Sequence, residues 1–146
     1  MEPDMPFTRF RFHIVFATKG RAKWIDAEIE EFLYPVLISS AARNDGKIIT
    51  LGGVEDHVHL IAAIKPKVAP SHFIDRTKSE SSGAIRRNFR RRRNFKWQVG
   101  FGAFTLSALD YQDAVRYVEK QKEHHRRGIT WSVFEEIMEE GFEEAA

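Results

Sequence analysis

The chain has 146 residues, 42% hydrophobic and 30% charged, with a formal net charge of +2 and no cysteine. That is the size of one ordinary domain, with enough apolar content for one core. The composition excludes disulfides and thiolate metal sites, no apolar run approaches the roughly 18 residues of a membrane span, and MEPDMPFTRF lacks the apolar stretch of a signal peptide.

Residues 9–18 alternate, with Phe10, Phe12, Ile14 and Phe16 on one face, and predict a strand that Lys19-Gly20-Arg21 ends. Asp26 is a suitable N-cap for a helix carrying Ile29, Phe32, Leu33, Val36 and Leu37 on one face. Pro35 lies inside this pattern and is expected to kink or shorten the helix. Asn44-Asp45-Gly46 is a stop and turn. Residues 47–54 predict a second strand, Glu55-Asp56 a tight turn, and residues 57–64 a third strand. On that strand Val58, Leu60 and Ile64 face the core, opposite His57 and His59.

Residues 66–70 form a loop, and Ser71 caps a helix to about Asn88 with Phe73, Ile74, Ile85 and Phe89 as its stripe. Residues 97–106 predict a fourth strand weakened by Gly100 and Gly102. Ser107-Ala108-Leu109-Asp110 resembles a capping box for a helix to about Arg127, with Tyr111, Ala114, Val115 and Val118 apolar. Gly128 ends that helix, and an acidic helix follows over about 131–146. No repeat, linker or boundary divides the chain, so residues 1–146 are expected to form one domain with its core at about 9–127.

The order strand, helix, strand, strand, helix, strand, then helices is the ferredoxin-like split β-α-β arrangement of the α+β class. It sets two helices on one face of an antiparallel sheet and leaves the other face, with His57 and His59, free. Such a fold serves many functions and decides none of them.

Charge is unevenly spread. Arg86, Arg87, Arg90, Arg91, Arg92 and Arg93 fall within eight positions, whereas the tail after Thr130 carries six glutamates and no Lys or Arg. A basic middle suggests a polyanion partner; the bland alternative is a solvated helix end.

His57 and His59 point the same way from a strand, and Tyr117 and Gln121 share one face of a helix. Two imidazoles and an amide oxygen can hold a divalent metal, and a phenol beside it can be a nucleophile. That combination suggests phosphodiester chemistry through a tyrosine. Each residue alone has a plainer role: histidine pairs on strands are mostly surface or packing groups, and a lone tyrosine is mostly half-buried. Glu55 and Asp56 could be ligands, groups that support the ligands or turn residues, and the turn reading is favoured. Tyr117 shares its stripe with Asp113 and Gln121, beside the apolar stripe of Ala114 and Val118.

From about Phe12 to Phe134 the chain resembles the single-tyrosine transposases of the insertion-sequence 200/605 type, within the HUH nuclease superfamily. The resemblance lies in His13-Ile14-Val15-Phe16-Ala17-Thr18-Lys19 with Arg21, and in Gly53-Val54-Glu55-Asp56-His57-Val58-His59-Leu60. It continues in Trp97-Gln98-Val99-Gly100-Phe101-Gly102-Ala103-Phe104 and in Tyr117-Val118-Glu119-Lys120-Gln121, followed by His124-His125. Phe101 departs from the tyrosine of many relatives, conservatively.

The resemblance implies an enzyme that cuts and rejoins single-stranded DNA with hairpin ends, through a 5′-phosphotyrosine on Tyr117. It implies Mg²⁺ or Mn²⁺ held by His57, His59 and Gln121, no nucleotide cofactor, and a homodimer. Lys19, Arg21, Lys78 and the arginines at 86, 87 and 90–93 are the expected DNA contacts. Phe95, Trp97 and Phe101 read as core residues rather than base-stacking groups. The cytoplasm is the expected compartment, with no membrane partner. Three alternatives stay open: a host-retained HUH endonuclease that cleaves hairpins without moving itself, a non-catalytic RNA-binding ferredoxin-like module, and a metal hydrolase that uses water. The second lacks the RNP1 pattern and leaves His57, His59, Tyr117 and Gln121 unexplained.

Overall fold

The computed structural model describes residues 10–120; Gln121, His124, His125 and the acidic segment lie outside them. Four strands, β1 (Arg11–Ala17), β2 (Gly46–Val54), β3 (His57–Ile64) and β4 (Gly102–Thr105), form one sheet in the order β2-β3-β1-β4. All neighbours are antiparallel. Helices α1 (Ala27–Arg43) and α2 (Pro70–Asn88) complete the ferredoxin-like α+β arrangement, and α3 (Tyr111–Glu119) follows β4. No described helix is long and apolar enough to cross a membrane.

The main core lies between the sheet and α1 with α2. Ile14 and Phe16 of β1, Val58, Leu60, Ala62 and Ile64 of β3, and Ile29, Leu33 and Leu37 of α1 are all buried there. The alternation along β1 and β3 therefore predicts the inward face correctly. Asp26 caps α1 as expected, its carboxylate accepting from the Ile29 N–H at 3.0 Å. Pro35 does not shorten α1, which runs on to Arg43. Pro35 and Glu31 both face solvent, so water can satisfy the carbonyl that proline leaves without a donor.

Three element boundaries differ from expectation. Helix α2 starts at Pro70, with no side-chain cap from Ser71. Proline suits a first helical position because its fixed φ is helical and its missing N–H has no partner there anyway. Strand β4 is only Gly102–Thr105, and Trp97 meets Thr18 in an isolated bridge. Gly100, at φ 92°, interrupts the strand between them. Helix α3 is described to Glu119, with Lys120 as its C-cap, rather than to about Arg127.

The expected free face is not free. Ile61, Leu106, Ala114, Tyr117 and Val118 form a second buried cluster, flanked by Ile49, Phe104, Tyr111 and Val115. Helix α3 thus covers the sheet face opposite α1 and α2. Its apolar stripe is wide enough to need a surface, and β2 with β3 supplies one.

Candidate active site

The β2–β3 hairpin builds one end of the site. Strands approach so closely beside the turn that a Cβ on Gly53 would lie 2.5 Å from the His57 carbonyl oxygen. His57 begins β3 directly after Asp56, and Nδ1 of His57 lies 2.7 Å from Asp56 Oδ1. The other carboxylate oxygen, Oδ2, accepts from Arg21 Nε at 3.2 Å. Arg21 sits at φ 57° in the turn that follows β1, next to Gly20 at φ 65°. Asp56 is therefore more than a turn residue: it ties His57 to the end of β1. Burial opposes its ionisation, but the hydrogen bond from His57 and the charges of His57 and Arg21 outweigh that and hold the carboxyl below its ordinary value. An ionised carboxylate only accepts, so His57 carries a proton on Nδ1, and when the ring is neutral its lone pair lies on Nε2.

His59 projects from the same face of β3, its ring centre 5.1 Å from that of His57. Its Nδ1 lies 2.8 Å from Nε2 of His13 on β1. All three histidines are fully buried, not displayed on an open polar face. The reason is α3. Tyr117 packs edge-on against His59 with ring centres 5.8 Å apart. It is only 1% exposed and belongs to the middle of the packing stripe, beside Ala114 and Val118, not to its border.

Two imidazoles, each anchored through Nδ1, suit a divalent cation that takes nitrogen ligands. Among the described residues no group of three or more His, Cys, Asp or Glu side chains is disposed to hold a metal. The expected third donor, Gln121, lies outside them.

The expected DNA contacts divide into two kinds. Lys19, Arg87, Arg90 and Arg93 are exposed. The others are engaged within the protein. Arg86 donates to the Phe95 carbonyl at 2.9 Å and Arg92 to the Trp24 carbonyl at 3.2 Å. Arg91 pairs with Asp26 and Glu28. Lys78 Nζ donates to the carbonyls of Gln98 and Gly100, each at 2.7 Å, and holds the bend before β4. Burial pushes the Lys78 ammonium below its ordinary pKa. A groove of about 1000 Å³ runs beside the hairpin turn, lined in part by Arg21, Lys23, Asp26, Asp56 and His57. Arg91 reaches the rim of this groove through Asp26, which links the arginine cluster to the His57 end of the site. Phe95 and Trp97 are core residues, packed edge to face at 5.0 Å.

Sequence reasoning missed His13 as a site residue and favoured a turn role for Asp56 over the supporting one it has. A signal for His13 was present: Ile14 and Phe16 point inward, so His13 must share the face of His57 and His59 once β1 lies beside β3.

The family model described as Transposase IS200 like matches residues 6–121. The ISDra2 transposase TnpA of Deinococcus radiodurans is 26% identical over 121 residues, which covers 77% of this chain and 84% of that protein. A crystal structure of a candidate transposase from Deinococcus radiodurans R1 superposes with a TM-score of 0.66 at 21% identity, over 83% of this chain and 98% of that one. The structure of a REP-associated tyrosine transposase bound to a REP hairpin superposes with a TM-score of 0.64 at 16% identity, over 86% of this chain and 74% of that one. Both share the fold.

Proposed function

Since this chain belongs to the IS200-like transposase family and so to the DNA-cleaving enzymes, we propose that it cuts and rejoins single-stranded DNA with Tyr117 as nucleophile and His57 and His59 as ligands of Mg²⁺ or Mn²⁺. One observation carries the residue assignment: the edge-on contact of Tyr117 with His59, which is itself beside His57. Gln121 remains the proposed third ligand.

The Tyr117 phenol oxygen attacks the scissile phosphorus, and the bond from phosphorus to the 3′-oxygen breaks. The phenol proton goes to solvent or a nearby base, and the departing 3′-oxygen takes up a proton. The product is a 5′-phosphotyrosine and a free 3′-hydroxyl. Attack by a 3′-hydroxyl on that ester reverses the exchange, so no nucleotide cofactor is consumed. A bound cation would offset charge developing on the phosphoryl oxygens. Asp56 and His13 orient the two imidazoles. The exposed Lys19, Arg87, Arg90 and Arg93 are the proposed contacts to the DNA backbone, whereas Arg21 is paired with Asp56 and Lys78 and Arg86 hold carbonyls of the segment before β4.

Hairpin DNA is the proposed partner, supported by the hairpin bound to the REP-associated relative of the same fold. The working unit is proposed to be a homodimer, which light scattering at micromolar concentration tests. The catalytic reading is tested by incubating the protein with Mn²⁺ and a single-stranded oligonucleotide carrying a hairpin. A DNA–protein adduct that survives denaturation is expected. Cleavage without any adduct would favour a metal hydrolase that uses water, and binding without cleavage would favour a nucleic-acid-binding module.

A further inference from the structure

We propose that His13 is a positioning residue that holds His59 in the one neutral tautomer able to ligate a divalent cation through Nε2. The inference rests on His57 and His59 being the metal pair. It concerns a residue on a different strand, outside the His57–His59 motif.

The hydrogen bond between His13 Nε2 and His59 Nδ1 spans 2.8 Å and joins residues 46 positions apart. Two neutral imidazoles can make such a bond in two ways. If His13 donates, His59 accepts on Nδ1 and must carry its own proton on Nε2, where no metal can then bind. If His59 donates from Nδ1, its Nε2 lone pair is available for ligation, and His13 accepts on Nε2 with its own proton on Nδ1. Only the second arrangement is compatible with a ligand at His59. At His57 the corresponding choice is already made, because the Asp56 carboxylate can only accept. The His13–His59 bond is formally degenerate, so the identity of residue 13 matters more.

Packing makes His13 suited to this task. Val15 is directly opposite His59 in the β1–β3 register, so His13 reaches it diagonally on the same sheet face. The two ring centres are 5.0 Å apart with planes at 49°. The ring of Phe104 on β4 packs against His13, also at 5.0 Å. His13 is fully buried. A purely packing residue in this position would be expected to be aliphatic, like Val15 beside it.

The test uses the whole chain and two substitutions. His13→Gln keeps an acceptor on a side chain of similar reach; His13→Phe keeps ring volume and removes the acceptor. In the metal-free wild type, ¹⁵N histidine NMR is expected to show His59 protonated on Nδ1. Mn²⁺ titration by calorimetry is expected to show a loss of about 10- to 100-fold for His13→Phe and affinity within a few fold of wild type for His13→Gln. Protonation of His59 on Nε2 in the wild type would overturn the inference. So would equal Mn²⁺ affinity for His13→Phe and wild type, or a folded Gln variant that binds as poorly as the Phe variant. If His13→Phe does not fold, the wild-type tautomer and the Gln variant decide. Failure of the wild type itself to bind Mn²⁺ would sink the metal pair, while the tautomer still judges His13 separately.

Discussion

Tyr117 on α3 lies edge-on against His59 on β3 of the same chain, with ring centres 5.8 Å apart and planes at 79°. Both side chains are essentially closed to solvent. A phenol so placed cannot meet a phosphodiester arriving from outside. In this arrangement a chain's own tyrosine packs on its own His59. The proposed role of Tyr117 as nucleophile therefore needs its phenol to become exposed, which movement of α3 off the sheet would allow.

Helix α3 is suited to such movement. It has nine residues, of which only Ala114, Tyr117 and Val118 are buried. So short a helix is marginal without packing, and its contact with the sheet is small. Amide hydrogen exchange is expected to be faster in α3 than in β1 and β3, and hairpin DNA with Mn²⁺ is expected to change exchange in α3 first. Protection of α3 equal to that of the central strands would contradict this.

Substitutions at Tyr117 separate packing from chemistry. Tyr117→Phe keeps the ring against His59, so denaturant unfolding should be close to wild type. Tyr117→Ala removes a buried ring and should cost about 3–5 kcal/mol. A fully stable alanine variant would mean that α3 does not hold this position in solution.

The bond from His57 to Asp56 gives a pH signature. The Asp56 carboxyl lies below its ordinary value in the folded chain. Its contribution to stability is therefore complete above the unfolded value of about 3.9 and is lost as pH falls through the lower folded value. Asp56→Asn should be less stable than wild type at neutral pH, and the gap should close as pH drops below about 4. A gap that stays constant down to acid pH would show that the carboxylate's ionisation is not what matters. Asp26 and Glu80 shift in the same direction, so both proteins should retain some acid sensitivity.

The arginine cluster should not behave as a unit. Arg87, Arg90 and Arg93 are exposed, whereas Arg86, Arg91 and Arg92 are tied to Phe95, to Asp26 with Glu28, and to Trp24. Serine at 87, 90 and 93 should weaken binding to all single-stranded DNA sequences alike. It should also flatten the slope of log affinity against log salt by about 0.7 for each phosphate that is no longer neutralised. Weakening confined to one sequence, with an unchanged slope, would instead indicate recognition of bases.

How much of this was legible in the sequence depends on distance along the chain. Strand β3 and its inward residues follow from alternation alone, and the α1 start follows from Asp26. The two histidines and the tyrosine stand out as residue types. Their burial does not. The stripe of Tyr111, Ala114, Val115 and Val118 shows that α3 needs a surface, but periodicity cannot say which sheet face provides it, and it set Tyr117 beside the stripe rather than in it. The His13–His59 bond requires knowing that β1 neighbours β3. The shortening of β4 follows from the positive φ of Gly100, a conformation that glycine permits but does not announce. Lys78 reads as a DNA-binding residue because an exposed lysine and a lysine that clamps carbonyls are the same letter.

The most direct measurement is the identity of the DNA-linked residue. Wild-type protein is reacted with hairpin-bearing single-stranded DNA and Mn²⁺, denatured and digested, and the DNA-bearing peptide is sequenced by mass spectrometry. The attached nucleotide should lie on Tyr117, and Tyr117→Phe, folded and still binding DNA, should give no adduct. Attachment at Tyr111, at Tyr34 or at a non-tyrosine residue, or a denaturant-resistant adduct formed by the phenylalanine variant, would contradict the assignment of Tyr117 as nucleophile.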